Sequence, residues 1–226
     1  MKNVVVLPEA GISAESGLKT FRDADGLWEG HDVMEVASPQ GFYKNPDLVL
    51  DFYNQRRRQL QTVQPNKAHF NLKELEKKYA VSIITQNVDN LHERAESKNI
   101  IHLHGELLKV RSTSNPALIY EWDNDLVLGD VCEEKSQLRP HIVWFGEEVP
   151  LLEKAAEFTL QADILVVIGT SMQVYPAASL INYTKPNIPI YFIDPNPSIT
   201  ESQYKNLTII KDVASSGTDK LIELLF

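Results

Sequence analysis

Val4-Val5-Val6-Leu7, closed by Pro8, is a short unbroken apolar run, the pattern of a strand buried on both faces of a parallel sheet. It leads into Pro8-Glu9-Ala10-Gly11-Ile12-Ser13-Ala14-Glu15-Ser16-Gly17, small residues with two glycines that open toward Phe21-Arg22. A strand that passes through such a turn into a helix leaves backbone N–H groups at the helix N-terminus, where hydrogen bonding and the helix dipole favour an anion. Phosphate or pyrophosphate is the ligand this turn predicts. Its spacing is not G-x-G-x-x-G, so a plain structural turn is an equal reading of these residues alone.

Further apolar runs stand at Val81-Ser82-Ile83-Ile84-Thr85, Ile164-Leu165-Val166-Val167-Ile168, Ile190-Tyr191-Phe192-Ile193 and Thr208-Ile209-Ile210. Apolar spacing predicts helices over 47–60, 69–79, 151–161 and 218–224, with another opening at Pro176-Ala177-Ala178. Strands alternating with helices, with polar loops at the strand ends, predict an α/β fold built on a doubly wound, mostly parallel sheet. Residues 23–30 read as a loop, and so does the approach to the last helix through Ala214. Residues 109–138 are turn-rich and poor in apolar side chains, the mark of a small irregular insert. The expected organisation is one domain over 1–226, its larger part at roughly 1–30, 65–108 and 140–226, its smaller module at roughly 31–64 and 109–139.

Composition narrows the partners. With 43% hydrophobic and 23% charged residues a packed core is expected, and a net charge of −9 argues against a nonspecific grip on nucleic acid. Cys132 is the one cysteine, which excludes an internal disulfide framework and a Cys-rich zinc site. The longest apolar run, Ile164–Ile168, is strand-length, so no membrane span is expected. The first strand begins almost at Met1, which leaves no room for a signal peptide and gives a cytoplasmic reading.

Polar groups gather at strand ends. Gln86-Asn87-Val88-Asp89-Asn90 follows a central strand, where open α/β sheets bind ligands, and carries more amide and carboxylate groups than helix capping needs. Gly169-Thr170-Ser171 is a second turn suited to phosphate or ribose, and Asp194-Pro195-Asn196 closes another strand. In the alternating stretch Ile100–Leu107, His102 and His104 fall on one strand face, an arrangement open to metal binding or to ordinary buried hydrogen bonding. Leu138–Glu147 reads as an aromatic strand able to lend its edge to an extended peptide. Tyr53 and Arg56 stand three apart on a predicted helix, side by side.

Four stretches in order, Ala10–Gly17 with Thr20-Phe21-Arg22, Thr85–His92, His102-Leu103-His104-Gly105 and Gly169-Thr170-Ser171, resemble the sirtuins, NAD-dependent protein lysine deacylases, from Val4 to the C-terminus. The resemblance implies a Rossmann-like sheet with a smaller inserted module and NAD lying across the strand ends. It implies cofactor contacts from Ala10, Gly11, Ile12, Ser13, Glu15, Thr20, Phe21, Arg22 and Trp28 around the pyrophosphate turn, with Phe21 covering the reactive ribose carbon. Gln86, Asn87, Val88 and Asp89 would hold the nicotinamide ribose and carboxamide, and Gly169, Thr170, Ser171, Asp194, Pro195, Asn196 and Ala214 the adenosine half. His104 would be the general base, and Val143, Trp144, Phe145 and Gly146 would pair with an acylated-lysine peptide or protein.

Phe52-Tyr53-Asn54-Gln55-Arg56-Arg57 is most similar to the bacterial and mitochondrial group that also removes succinyl, malonyl and other acidic acyl groups. In that group the Tyr and Arg positions, here Tyr53 and Arg56, line the acyl pocket, where a phenol and a guanidinium can hold a terminal carboxylate. Two departures stand out. The four zinc-binding cysteines common in the family are missing, so no zinc is expected and the insert must be held by packing around Tyr120, Trp122 and Leu126. Pro8-Glu9 replaces a Thr-Gly pair, and Glu96 stands where a glycine is common. A Glu9 turned inward would set its charge against a phosphate at a cost on the order of one to several kcal/mol, whereas a Glu9 in solvent would cost little. The alternatives to a deacylase are a weakened NAD or acyl-lysine binding protein, and an ADP-ribosyltransferase or NAD hydrolase.

Overall fold

The computed structural model describes residues 1–19, 27–28 and 30–226. Strand β1 (Asn3–Pro8) runs straight into the short helix α1 (Ala10–Ala14). After it come β2 (Leu27–Trp28), β3 (His31–Asp32), α2 (Val33–Val36), α3 (Pro39–Lys44), the long α4 (Pro46–Thr62) and α5 (Lys67–Leu75). Next are β4 (Ala80–Thr85), α6 (Leu91–Arg94), β5 (Ile100–His102), β6 (Gly105–Ser112), β7 (Ile119–Glu121) and β8 (Leu138–Ile142). The chain closes with α7 (Leu152–Leu160), β9 (Ile164–Ile168), a 3-10 helix (Ala177–Tyr183), β10 (Ile190–Ile193), β11 (Leu207–Ile210) and α8 (Ala214–Leu225).

Six strands pair in parallel in the order β11-β10-β9-β1-β4-β5. The central β1 has β4 on one side, Val4 opposite Val81, and β9 on the other, Val4 opposite Ile164. Alternate side chains feed two separate cores. Val4 and Val6 pack with Leu72 and Leu75 of α5 and Leu221 of α8, while Val5 and Leu7 pack with Ala155 of α7 and Leu180 of the 3-10 helix. Helices therefore cover both faces, which is why the strands read as continuous apolar runs. Since the chain runs from β1 to β4 and β5 on one side and then to β9, β10 and β11 on the other, β1 borders the point where the strand order reverses, and a crevice opens at its carboxyl end.

The insert is more regular than its turn-rich sequence implies. Strands β7, β6 and β8 form an antiparallel sheet, and Val110, Leu126, Cys132 and Leu138 build a small core with Leu50 of α4, against which Tyr120 and Trp122 pack. Among the described residues no group of three or more His, Cys, Asp or Glu is placed to hold a metal ion. The fastening to α4 is polar and buried. Asn54 Nδ2 donates to the Leu126 carbonyl at 2.9 Å, its Oδ1 accepts the Leu126 N–H at 2.8 Å, and Arg57 donates to the same Oδ1 at 2.7 Å.

Three sequence expectations change, and a fourth observation is explained. Residues 23–30 are not all loop, because β2 pairs with β3 as a hairpin about Gly30, whose φ of +83° suits a tight turn. The 69–79 helix starts two residues earlier, at Lys67, because Asn66 caps it in a box with His69. The last helix begins at Ala214 and not at Thr218, because the Glu15 carboxylate of the chain's opening segment accepts the Ser215 N–H at 2.8 Å. Glu96, at the end of α6, takes a φ of +64°, the left-handed conformation that explains a glycine preference at this position and costs a side-chain-bearing residue about 1–2 kcal/mol.

Replacing Asn54 with Ala strands the Leu126 amide and carbonyl and removes a partner of Arg57. The expected outcome is a stability loss of about 2–4 kcal/mol in urea unfolding, and a loss under about 0.5 kcal/mol would remove the fastening role.

Candidate active site

Gly11 and Gly169 meet backbone to backbone at the head of the crevice. The Gly11 N–H donates to the Gly169 carbonyl at 3.0 Å, and a Cβ on Gly11 would stand 2.5 Å from Gly169 Cα. Gly169 itself has a φ of +64°. This contact corrects the simplest reading of the first turn: of the amides offered to an anion, Gly11 is bonded to Gly169 and Ile12 donates to the Glu9 carbonyl at 3.0 Å. The Ile12 side chain is buried in the core.

A cleft of about 280 Å³ opens beside this contact. Its wall takes Ala10 and Ser13 from α1, Trp28 from β2, Tyr53 and Arg56 from α4, and Gln86, Asn87, Val88 and Asp89 from the segment after β4. His104 and the segment Val143, Trp144, Phe145 and Gly146 complete it. Gly169, Thr170, Ser171, Asp194, Pro195, Asn196 and Ala214 gather at the ends of β9, β10 and β11 without lining this cavity. Thr170 and Asp194 are buried and bond locally, to the Met172 and Asn196 amides. Glu15 is engaged by Ser215. Thr20, Phe21 and Arg22 lie outside the described residues.

The polar groups after β4 form a connected set. Ser13 Oγ donates to Asp89 Oδ2 at 2.9 Å and accepts from Asn87 Nδ2 at 3.1 Å, and Asn87 Nδ2 also reaches the Glu9 carbonyl at 3.2 Å. Burial raises the Asp89 pKa, against the Leu91 N–H and the Ser13 hydroxyl, which favour the carboxylate. Gln86 Oε1 is buried on the cleft wall and has no hydrogen-bond partner among the described residues. A buried acceptor left open is costly unless a ligand fills it. Glu9 also lines the cleft, with one carboxylate oxygen, Oε2, buried, so this side chain is the inward case.

The two histidines part company. The chain leaves the parallel sheet after His102 and enters the antiparallel one at Gly105, whose φ of +84° permits the bend, so His102 and His104 do not share a strand face. His102 turns inside: Nδ1 meets the Asn87 carbonyl at 3.1 Å and Nε2 meets Glu93 at 2.7 Å. Burial pulls its pKa down, but the Glu93 hydrogen bond and charge outweigh this and the net shift is upward. His104 faces the cleft with Nδ1 on the Gln86 carbonyl at 3.2 Å, and burial lowers its pKa. In the neutral ring Nδ1 must be the donor to that carbonyl, so the lone pair sits on Nε2.

The strand expected over 138–147 is shorter than its sequence implies. Strand β8 stops at Ile142, and the N–H groups of Val143, Trp144 and Phe145 are taken by the His104 carbonyl, the Glu147 carboxylate and the Ala37 carbonyl. These three N–H groups are therefore spent within the chain. Glu147 and Arg139 carry no role in the sequence reading, yet they hold this segment; the signal was a carboxylate three residues past Trp144, beyond a turn glycine.

An α/β protein with amide, carboxylate and imidazole groups over a parallel-sheet crevice is a nucleotide-cleft protein by architecture. The Sir2 family model matches residues 9–176, and the chain belongs to the Sir2 family. Among its relatives is the NAD-dependent protein deacylase of Helicobacter pylori (strain ATCC 700392 / 26695), 68% identical over 195 residues that cover 86% of this chain and 85% of that protein. Another, from Bacteroides thetaiotaomicron, carries the same name and is 50% identical over 231 residues, covering 100% of this chain and 98% of that one. Solved structures agree. A Sir2 homologue in complex with NAD superposes with a TM-score of 0.87 at 39% identity, covering 99% of this chain and 89% of its own. A Sir2 homologue variant with ADP-ribose gives 0.89 at 40%, covering 98% and 91%.

In an NMR titration, His104 is expected to gain its proton only below the ordinary histidine value of about 6.5, and His102 to keep its proton above it. The reverse order would contradict the environments described.

Proposed function

We propose that the protein is an NAD-dependent protein-lysine deacylase that removes acetyl, succinyl and malonyl groups from lysine side chains, giving nicotinamide and O-acyl-ADP-ribose. The convergence of Gln86, Asn87, Asp89 and His104 on one cleft at the carboxyl end of the sheet, in a Sir2-family chain, carries this reading. Relatives named as NAD-dependent protein deacylases and similar structures holding NAD or ADP-ribose support it.

The cleft fits a nicotinamide nucleotide. Gln86 Oε1 is an open acceptor for an amide or hydroxyl donor, and Asn87, Asp89 and Ser13 form a fixed set of donors and acceptors beside it. NAD, held there by Gln86, Asn87, Asp89 and Ser13, would supply an electrophilic ribose carbon for the acyl oxygen, with nicotinamide as its leaving group. His104 Nε2 takes a proton from a substrate hydroxyl; its lowered pKa keeps the ring neutral at neutral pH, which a base requires. Asp89 and Asn87 orient the sugar, and the carbonyls of the 143–146 segment bind the peptide backbone. Residues at the ends of β9, β10 and β11 hold the adenosine half. The larger part of the chain holds nucleotide, and the smaller module, fastened through α4, supplies the acyl pocket.

Tyr53 and Arg56 give that pocket its chemistry. Arg56 lies over the Phe52 ring, 3.7 Å from its centroid, which stations the guanidinium on the cleft wall beside the Tyr53 phenol. A phenol and a guanidinium reward a terminal carboxylate that an acetyl group lacks. Among the described residues no helix is long and apolar enough to cross a membrane. We place the enzyme's work in the cytoplasm, on acylated proteins.

Incubating the protein with NAD and either acetyl- or succinyl-lysine peptide is expected to release nicotinamide only when peptide is present. Release without peptide would favour an NAD hydrolase, and retained peptide binding without release a binding protein. Arg56→Met is expected to lower the succinyl-to-acetyl ratio of kcat/KM by about tenfold or more, the scale of a lost charged hydrogen bond. Equal losses on both peptides would remove the carboxylate pocket.

A further inference from the structure

Beside the cleft, one carboxylate collects three donors. Glu147 accepts from Arg139 Nη1 at 2.6 Å and Nη2 at 3.0 Å, from Arg111 Nη2 at 3.2 Å, and from the Trp144 backbone N–H at 2.8 Å. Arg139 also donates to the Ile142 carbonyl at 2.9 Å, and its guanidinium lies over the Trp144 indole, 3.4 Å from the ring centroid. Phe42 packs on the same indole, 5.4 Å between centroids. Backbone and ring of Trp144 are thus both pinned, and the side chain is buried.

The pinned indole has a single polar atom, and it is spent inside the protein. Trp144 Nε1 donates to the Tyr53 hydroxyl at 2.9 Å. A phenol whose oxygen accepts on one side keeps its proton to donate on another. Burial holds the Tyr53 pKa well above the ordinary phenol value, although the Trp144 hydrogen bond and the charges of Arg139 and Arg56 pull it down, so the group stays an O–H donor. Tyr53 lines the cleft with Arg56.

We propose that Trp144 is a specificity-determining positioning residue: locked by Glu147 and Arg139, it aims the Tyr53 O–H at the acyl chain and so favours acyl groups that end in a carboxylate. This rests on the reading that Tyr53 and Arg56 receive that carboxylate, and extends it. Without the indole N–H the hydroxyl can turn, or satisfy itself with water, and its fixed direction is lost. An acetyl group, which has nothing for the hydroxyl to bond, feels only the change in packing.

Trp144→Phe keeps a ring on the stack and deletes the donor. Succinyl- and acetyl-lysine peptides are compared by kcat/KM in the parent, Trp144→Phe, Tyr53→Phe and the double variant, with circular dichroism checking folding. The succinyl-to-acetyl ratio is expected to fall about fivefold in Trp144→Phe and about tenfold in Tyr53→Phe. Because Trp144 acts through the hydroxyl, the double variant should match Tyr53→Phe within about twofold. Multiplying losses would mean an independent role and overturn the proposal. A fall for Tyr53→Phe with an unchanged ratio for Trp144→Phe overturns this proposal alone, whereas an unchanged ratio for both removes the carboxylate pocket beneath it. With only three tryptophans, the indole N–H resonance missing in Trp144→Phe is identifiable, and it should shift in Tyr53→Phe. A resonance that stays in place denies the hydrogen bond and the proposal with it.

Discussion

Two glycines touching at their backbones set the dimensions of everything else. Gly11 begins the descent from β1 into α1, Gly169 ends β9, and neither can carry a Cβ without driving it into the other's main chain. The contact lets the two central strands finish side by side with their loops interlocked, Gly11 N–H on the Gly169 carbonyl and Gly169 N–H on the Ile193 carbonyl. Overpacking there would cost about 1–3 kcal/mol and splay the loops. Ser13 hangs from the same short helix, so the reach from Ser13 to Asp89 and Asn87 depends on how closely the glycines meet. The geometry of this polar set at the sheet's carboxyl end is therefore a consequence of backbone packing beneath it.

The parallel sheet was legible because burial on both faces writes itself as unbroken Val, Ile and Leu runs, and five of its six strands were read to within a residue or two. The polar cluster at 86–90 was legible for the complementary reason: such groups at a strand end need partners. What escaped were features fixed by distant contacts. The start of α8 depends on Glu15, some two hundred residues earlier in the chain, which no local pattern reports. The separation of His102 from His104 was written only in Gly105, where the backbone presses on the His141 carbonyl, and alternation of apolar and polar residues masked it. The hairpin at 27–32 had its glycine in view, but strands of two residues have no periodicity to detect.

The same contrast separates the two halves of the pocket. The main sheet is held by apolar burial, the small one by a mixed device: a modest core around Leu126 and Val110, and the Asn54–Arg57 polar clasp to α4. Family resemblance drew attention to cysteines this chain lacks. The substitute is spread over ordinary residues, each unremarkable in sequence and informative only once α4 and the insert are side by side. Tyr53 sits next to the clasp on the same helix, so the fastening that orders the insert also registers Tyr53 against the cleft it lines.

Glu9 tests how far fold and ligand make separate demands on one position. The fold uses its backbone: its N–H reaches the Ile168 carbonyl at 3.0 Å, and its carbonyl receives Ile12 and Asn87. Its φ of −126° is open to any residue, so folding does not call for glycine there. The carboxylate is a different matter, because it lies on the wall of a cleft read as binding a pyrophosphate. At a separation of a few ångströms and an effective dielectric of about 20, like charges repel by a few kcal/mol, a burden that falls on the binding of a phosphate there. A chain can thus keep the Sir2 architecture while a charged side chain on the cleft wall weighs against the binding of an anion there.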